Sequence, residues 1–387
     1  MGSTGRTSHG WYARMRLQRR TARSVLLGAL VLTVGLAGCA GADPESADDE
    51  SEVARVGVAM PTQQLERWAK DAANVTAQLE GLGHDVLVEY ADDDPQLQVE
   101  QIGQMVEEGV DALIVGAVDA SALSAVLSEA GAADIPVIAY DRLILDTPDI
   151  DYYATFDNER VGIQQATSLL QGLGVLDDAG RDAGAKGPFF IELFAGSPDD
   201  NNAHVFFAGA MSVLQPYLDS GVLKVVSGET EFEAIATPAW DGETAAARMS
   251  TLAQGYGPDQ QLHGVLSPND GIAQALLGVF ASASIDAGGR DLPVVTGQDA
   301  DLASAQSVAA GEQYTTIFKD TRQLAEVAVS AVHKMLTGEE PETNDVTTYE
   351  NGRITVPSYL LTPQLVTQDN YEHLLIESGY YEAGDLA

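Results

Sequence analysis

From Ala54 onward the chain alternates short, nearly unbroken apolar runs with stretches whose apolar residues recur at helical intervals. RVGVAM (55–60) reads as a strand, and QLERWAKDAANVTAQLE (64–80) reads as the helix that follows it. The couplet then repeats. HDVLVEY (84–90) precedes a helix over 95–108, DALIVGA (111–117) precedes a helix over 121–131, PVIAY (136–140) follows, and DYYATF (151–156) leads into a helix from about Glu159. After a Gly/Asp-rich linker at 174–187 the pattern restarts with PFFIELFAG (188–196) and a helix over 201–218. LKVVSGET (223–230), a helix over 241–255, GVLSP (264–268), a helix over 271–283 and LPVVTGQ (292–298) come next. TTIFK (315–319), a helix over 321–336 and a short mixed segment close the chain. Strands that lack polar alternation are strands buried on both faces, as in a parallel sheet covered by crossover helices. Two such units of similar size predict an α/β protein of two Rossmann-like lobes.

In a doubly wound sheet the ligand lies outside the carboxyl ends of the strands, so the residues just beyond each strand are the candidates. They are Arg67 and Trp68 after the first strand, Asp141 and Arg142 after the fourth, and Asp157 and Asn158 after the fifth. In the second unit they are Asp199, Asp200, Asn201 and Asn202, then Trp240, Asn269 and Asp270, Gln298, Asp299 and Asp301, and Lys319. A sugar hydroxyl both donates and accepts, so a sugar site needs carboxylates beside Arg, Lys or Asn, and Trp offers an apolar face to the C–H side of a pyranose. Hydrogen bonds to charged groups contribute about 1.5–3 kcal/mol each, enough together for micromolar affinity after ordering costs.

Structural readings stand beside the functional ones. Asp141 and Arg142 suit an ion pair that offsets the burial of each charge. Asp199 suits the N-cap of the helix at 201, Asp270 the cap of the helix at 271, and Asp157 the cap of the next helix in the first unit. Trp68 suits a core position as well as a site, whereas Trp240, in an irregular stretch between Pro238 and Asp241, suits an exposed platform. His84, His204, His263, His333 and His373 are scattered without ligand spacing.

The N-terminus changes the picture of where the protein works. Residues 1–38 hold six Arg and no acid, and an apolar run ends in LAGC at 36–39. A basic flank, a short apolar stretch and small residues before a cleavage point define an export signal, and the run is too short for a comfortable span. Cys39, the single cysteine, occupies the acylation position of a bacterial lipoprotein signal, and no intramolecular disulfide can form. The acidic, aperiodic stretch 39–53 reads as a tether. Without residues 1–38 the chain carries 14 basic and 58 acidic residues, a formal charge of −44. Such a surface repels nucleic acid.

YDRLI, FDNERVG, GSPDDNNA, SPNDGIA, GQDAD and IFKDTR, in that order, with LERWAKD ahead of them, closely resemble the xylose and multiple-monosaccharide binding proteins of bacterial ATP-driven sugar importers. These are type I periplasmic binding proteins, and the resemblance runs from about Arg55 to the C-terminus. It implies two lobes joined by a three-segment hinge, here 54–157 with 320–355 and 158–319 with 356–387. It implies ligand contacts from Arg67, Asp141 and Arg142 in the first lobe, with Trp68 a further candidate from its position. Asp200, Asn202, Trp240, Asn269 and Asp299 would come from the second, and Lys319 from near the hinge. The family often carries a basic or polar contact just before Arg67, where this chain has Leu65 and Glu66. The 174–187 linker lacks the alternating acids of a calcium loop, so no metal and no cofactor are expected. The expected partners are a monosaccharide, an ABC permease and, through Cys39, the membrane, for a monomer on the extracytoplasmic face. A sensor feeding a chemoreceptor or kinase is the alternative. A glycosidase would need a carboxyl pair with one acid raised, and a transcription regulator a basic helix-turn-helix where the export signal lies.

Overall fold

The computed structural model describes residues 53–257, 261–283, 285, 287–290 and 292–386. The export signal, Cys39 and all of the tether but Val53 lie outside these residues. The first sheet is built from β1 (Arg55–Met60), β2 (Asp85–Tyr90), β3 (Ala112–Val115), β4 (Val137–Tyr140) and β5 (Tyr152–Phe156), joined by α1 (Glu66–Gly81), α2 (Pro95–Glu108) and α3 (Ser124–Ala132). The second is entered through α4 (Asn158–Gly172). It contains β6 (Phe189–Leu193), α5 (Asn201–Asp219), β7 (Leu223–Val225), the single turn α6 (Phe232–Ile235), α7 (Gly242–Gly255), β8 (Gly264–Leu266), α8 (Asp270–Ser282) and β9 (Val294–Val295). After α9 (Leu302–Ala310) and β10 (Thr316–Phe318), α10 (Thr321–Thr337) returns to the first sheet, and β11 (Ser358–Leu361) and β12 (Gln364–Val366) complete the order.

The first sheet runs β11-β5-β4-β3-β1-β2 and the second β7-β6-β8-β9, every pair parallel, with β10 and β12 forming a separate antiparallel pair. Strand parity explains the unbroken apolar runs. Val56, Val58, Met60, Ile114, Ile138, Tyr140, Tyr152 and Phe156 join α1 and α10 in one buried cluster. The intervening Ala59, Leu113, Val115, Val137, Ala139 and Tyr153 join α2 and α3 in another. Both faces of the central strands therefore meet helices, and polar alternation has no place there. Local chemistry sets the helix ends. Asp94 accepts from the amides of Gln96 and Leu97 ahead of Pro95, and Gly109 closes α2 at φ 76°.

One boundary differs from expectation. The expected division places 356–387 in the second lobe, whereas β11 pairs with β5, Ser358 opposite Tyr153 through Leu361 opposite Phe156. The chain thus leaves the first sheet after β5, returns after β10 and leaves again after β11. The first and third crossings meet where the Asp157 amide donates to the Leu361 carbonyl at 2.9 Å, and Phe318, just before the second, pairs with Gln364, just after the third. The strand expected over 223–230 shortens to β7 because Ser227 bonds the buried Glu192 and Gly228 turns the chain at φ 77°.

In the second lobe α4 and α5 pack backbone to backbone. A Cβ on Gly162 would sit 1.9 Å from the Phe206 carbonyl oxygen, and one on Gly209 2.4 Å from that of Glu159. Gly162→Ala is therefore expected to force the helices apart and cost about 1–3 kcal/mol, a drop of a few degrees in calorimetric midpoint. An unchanged midpoint would show that the two helices can separate freely.

Candidate ligand-binding site

The carboxyl ends of both sheets face each other across a small cavity. Its lining contains the ten residues expected as ligand contacts, together with Gln298, also a strand-end candidate, and Leu65 and Phe206. The first lobe contributes a guanidinium fixed from below. Arg67, on the first turn of α1, donates through Nε and Nη2 to Asp71 Oδ2 at 3.1 and 2.9 Å, one helical turn on. Tyr140 at the end of β4 donates to the other Asp71 oxygen at 2.5 Å. The same Nη2 lies 3.0 Å from Asp141 Oδ2, and Nη1 lies 3.4 Å from Asp299 Oδ1 of the second lobe.

Asp141 holds φ 60° as the chain turns off β4. Its carbonyl oxygen lies 2.6, 2.9 and 2.8 Å from Tyr153 Oη, Thr155 Oγ1 and Asn202 Nδ2, so three side chains over-determine the strained backbone. Asn202 belongs to α5, and its bond spans the lobes. Arg142 spans them too. It donates to the carbonyls of Ala117 and Val118 at 2.9 and 3.3 Å while its Nε lies 2.9 Å from Asp200 Oδ2. Lys319, just past β10, sits 2.8 Å from Asp299 and 3.9 Å from Asp141. The lobes are closed on one another by these pairs.

Two tryptophans bound the cavity. Trp68, 1% exposed, lies 4.6 and 5.2 Å from the Arg67 and Arg142 guanidinium carbons. Trp240 is the correction: not an exposed platform but 5% exposed, it lies flat on the backbone at Gly196, where a Cβ would meet its ring at 2.1 Å. Its edge meets Phe206 at 6.3 Å. Both indole Nε1 atoms and Gln298 Oε1 are buried without a hydrogen-bond partner.

The capping residues shift by one position. Asp200, not Asp199, caps α5, accepting from the Asn202 amide at 2.9 Å while it pairs with Arg142. Asp199 instead accepts from the Ser197 hydroxyl. Asn269, not Asp270, caps α8 through the Ile272 amide, so Asn269 is both a cap and a cavity residue. Asp270 is buried behind the site, bonded to Thr316, Gln313 and the Asp301 amide. Asp157 caps α4 as expected.

Sequence reading passed over Asp71, although Arg67 and Asp71 stand four apart on a helix, the spacing that brings side chains together. Phe206 carried no signal, being an apolar residue on the second turn of α5 rather than at a strand end.

A model of the periplasmic binding protein domain matches residues 56–340. The multiple sugar-binding periplasmic receptor ChvE of Rhizobium radiobacter is 49% identical over 331 residues, 86% of this chain and 92% of that protein. The chain belongs to the periplasmic binding protein family. The D-xylose-binding periplasmic protein of Escherichia coli is 35% identical over 86% of this binding protein and 92% of its own length. An ABC transporter solute-binding protein of Clostridium phytofermentans, solved with β-D-glucose, superposes with a TM-score of 0.81 at 42% identity, covering 86% of this chain and all of that one. Its counterpart from Chloroflexus aurantiacus, solved with D-glucose, gives 0.76 at 32% over 85% and 97%.

Burial divides the acids of this binding protein. For Asp141 burial opposes ionisation, but Arg67, Lys319 and Arg142 outweigh it and hold the carboxyl below its usual value. Burial raises Asp71 to about 6 against the pull of Arg67 and Tyr140. It raises Asp301 to about 7 with help from Asp299 and Glu66. A carboxyl raised on folding binds more protons folded than unfolded, so stability falls as pH rises through its window. The lowered Asp141 acts only below about pH 4, its ordinary value. The unliganded protein should therefore melt a few degrees higher at pH 5.5 than at pH 8, and Asp301→Asn should shrink that difference. A higher midpoint at pH 8 would contradict the assignment.

Proposed function

We propose that this protein is the extracytoplasmic receptor of an ABC sugar importer, capturing one monosaccharide between its lobes and delivering it to the permease. One observation carries the reading. Two indole donors and a carboxamide acceptor, all buried and unpartnered, belong to residues of an interlobe cavity whose charges already neutralise one another. A neutral ligand rich in donors and acceptors fits that inventory, whereas an ion would leave one sign uncompensated. Glucose in two relatives above 30% identity supports the same class. The relatives are receptors and binding proteins by name, not enzymes.

In this reading Asp141, Asp200 and Asp299 accept from sugar hydroxyls, Arg67, Arg142, Asn202, Asn269 and Lys319 donate, and Trp68 and Trp240 bound the ring. Sugar favours closure because only the closed state offers both half-sites. The first lobe comprises 54–157 with 320–361 and the second 158–319 with the chain beyond 363. Residues 1–38 direct export, and Cys39, at the head of the 39–53 tether, takes the lipid.

A thermal-shift screen of the chain from Ala54 against pentoses, hexoses and polyols tests the reading. A sugar at 100 times its dissociation constant adds about 2.7 kcal/mol and should raise the midpoint by several degrees. No shift with any sugar would refute the ligand class.

A further inference from the structure

On the outer face of the helix that carries Arg67, a second set of contacts joins the lobes without touching the cavity. Lys70 Nζ lies 2.6 Å from Glu66 Oε1 and donates to Tyr381 Oη at 2.6 Å. It also sits 4.3 and 4.9 Å from the ring centroids of Tyr381 and Tyr380. Tyr381 Oη donates to the Ala300 carbonyl at 2.9 Å and lies 3.4 Å from Glu66 Oε1. The Leu302 amide, at the start of α9, donates to Glu66 Oε2 at 3.4 Å.

Glu66 and Lys70 ride on α1, so they belong to the first lobe. Tyr381 packs with the second: it is buried with Ala300, Ala305, Val308 and Leu375, and its segment is tied to α9 by Gln306 to the Asp385 carbonyl and by Gln368 to the Ala309 carbonyl, while Arg322 of α10 reaches the Ser378 carbonyl beside it at 3.1 Å. The neighbouring residues inside are Arg67 and Asp299, which meet across the cavity at 3.4 Å. The same two stretches of chain are thus joined on both sides, once within the ligand cavity and once outside it. A lone partly exposed ion pair contributes little. Here the ammonium is stacked on two rings and one of its acceptors is a buried phenol, a better-desolvated arrangement.

We infer that Glu66, Lys70 and Tyr381 form a closure latch outside the ligand cavity, setting affinity for every sugar by the same factor. The inference rests on the reading that closure accompanies capture. Apparent affinity scales with the fraction of protein able to close, and a contact that never meets the ligand cannot distinguish one ligand from another. These are positioning residues. They differ from Asp299 or Arg142, whose loss should change both affinity and the ranking of sugars.

The test is titration calorimetry with D-glucose and D-xylose on the chain from Ala54, as wild type, Lys70→Met and the shape-conserving Tyr381→Phe. Both dissociation constants should rise about three- to tenfold in each variant, by equal factors, leaving the glucose-to-xylose ratio unchanged. Constants that do not move, or that move by different factors, overturn the latch. If the wild-type chain binds neither sugar, it is the sugar reading that fails. The latch is then decided by small-angle scattering of the unliganded chains, where a larger radius of gyration in the variants supports it and identical radii overturn it.

Discussion

Buried charge between the lobes is the constraint around which the rest is arranged. Arg67, Arg142, Lys319, Asp141, Asp200 and Asp299 are all nearly excluded from water, and isolated buried charges cost several kcal/mol each. Part of the set is met within a lobe, Arg67 by Asp71 and Asp141 and Asp299 by Lys319, but the rest is not. Arg142 finds Asp200, and Arg67 finds Asp299, only across the interface. Closure therefore exchanges water for fixed partners, and the exchange is complete only if the remaining donors and acceptors are also met. That is why a cavity so rich in charge suits a neutral polyol ring. The ions cancel one another, and what is left over is hydrogen-bonding capacity.

The fold serves this arrangement through rigidity at strand ends. Asp141, Trp240 and Asp299 sit at φ 60°, 56° and 96°, backbone that side chains other than glycine adopt at a cost. Each is held by its surroundings: Asp141 by three donors on its carbonyl, Trp240 by the bare backbone at Gly196, Asp299 by the Ile317 carbonyl that takes its amide. Three of the nine non-glycine residues at positive φ among the described residues line this one cavity, where strain serves binding geometry.

Much of this was legible in the sequence because both faces of each sheet are covered, which leaves unbroken apolar strands and places the chemistry at their ends. Arg67, Asp141, Arg142, Asp200, Asn202, Asn269, Asp299 and Lys319 are among the strand-end candidates that position offers, and the family resemblance singles them out. What escaped was decided by contacts distant in sequence. β11 is four residues, SYLL, with no crossover helix after it, and only its register against β5 assigns it to the first sheet. The burial of Trp240 depends on a glycine forty-four positions earlier. The caps at Asp200 and Asn269 differ from expectation by one residue because helix starts are set by local dihedrals that composition does not resolve.

The most direct test of the account is Arg142→Ala, read by titration calorimetry against a bound sugar and by the melting of the unliganded chain. If the cross-lobe charges organise the ligand, affinity should fall by about a hundredfold or more, the loss of one or two charge-assisted hydrogen bonds with Asp200 left uncompensated on closure. The melting midpoint should move by no more than a few degrees, because an open lobe returns Asp200 to water. Affinity retained, with a large loss of thermal stability, would contradict the account and mark the pair as purely structural.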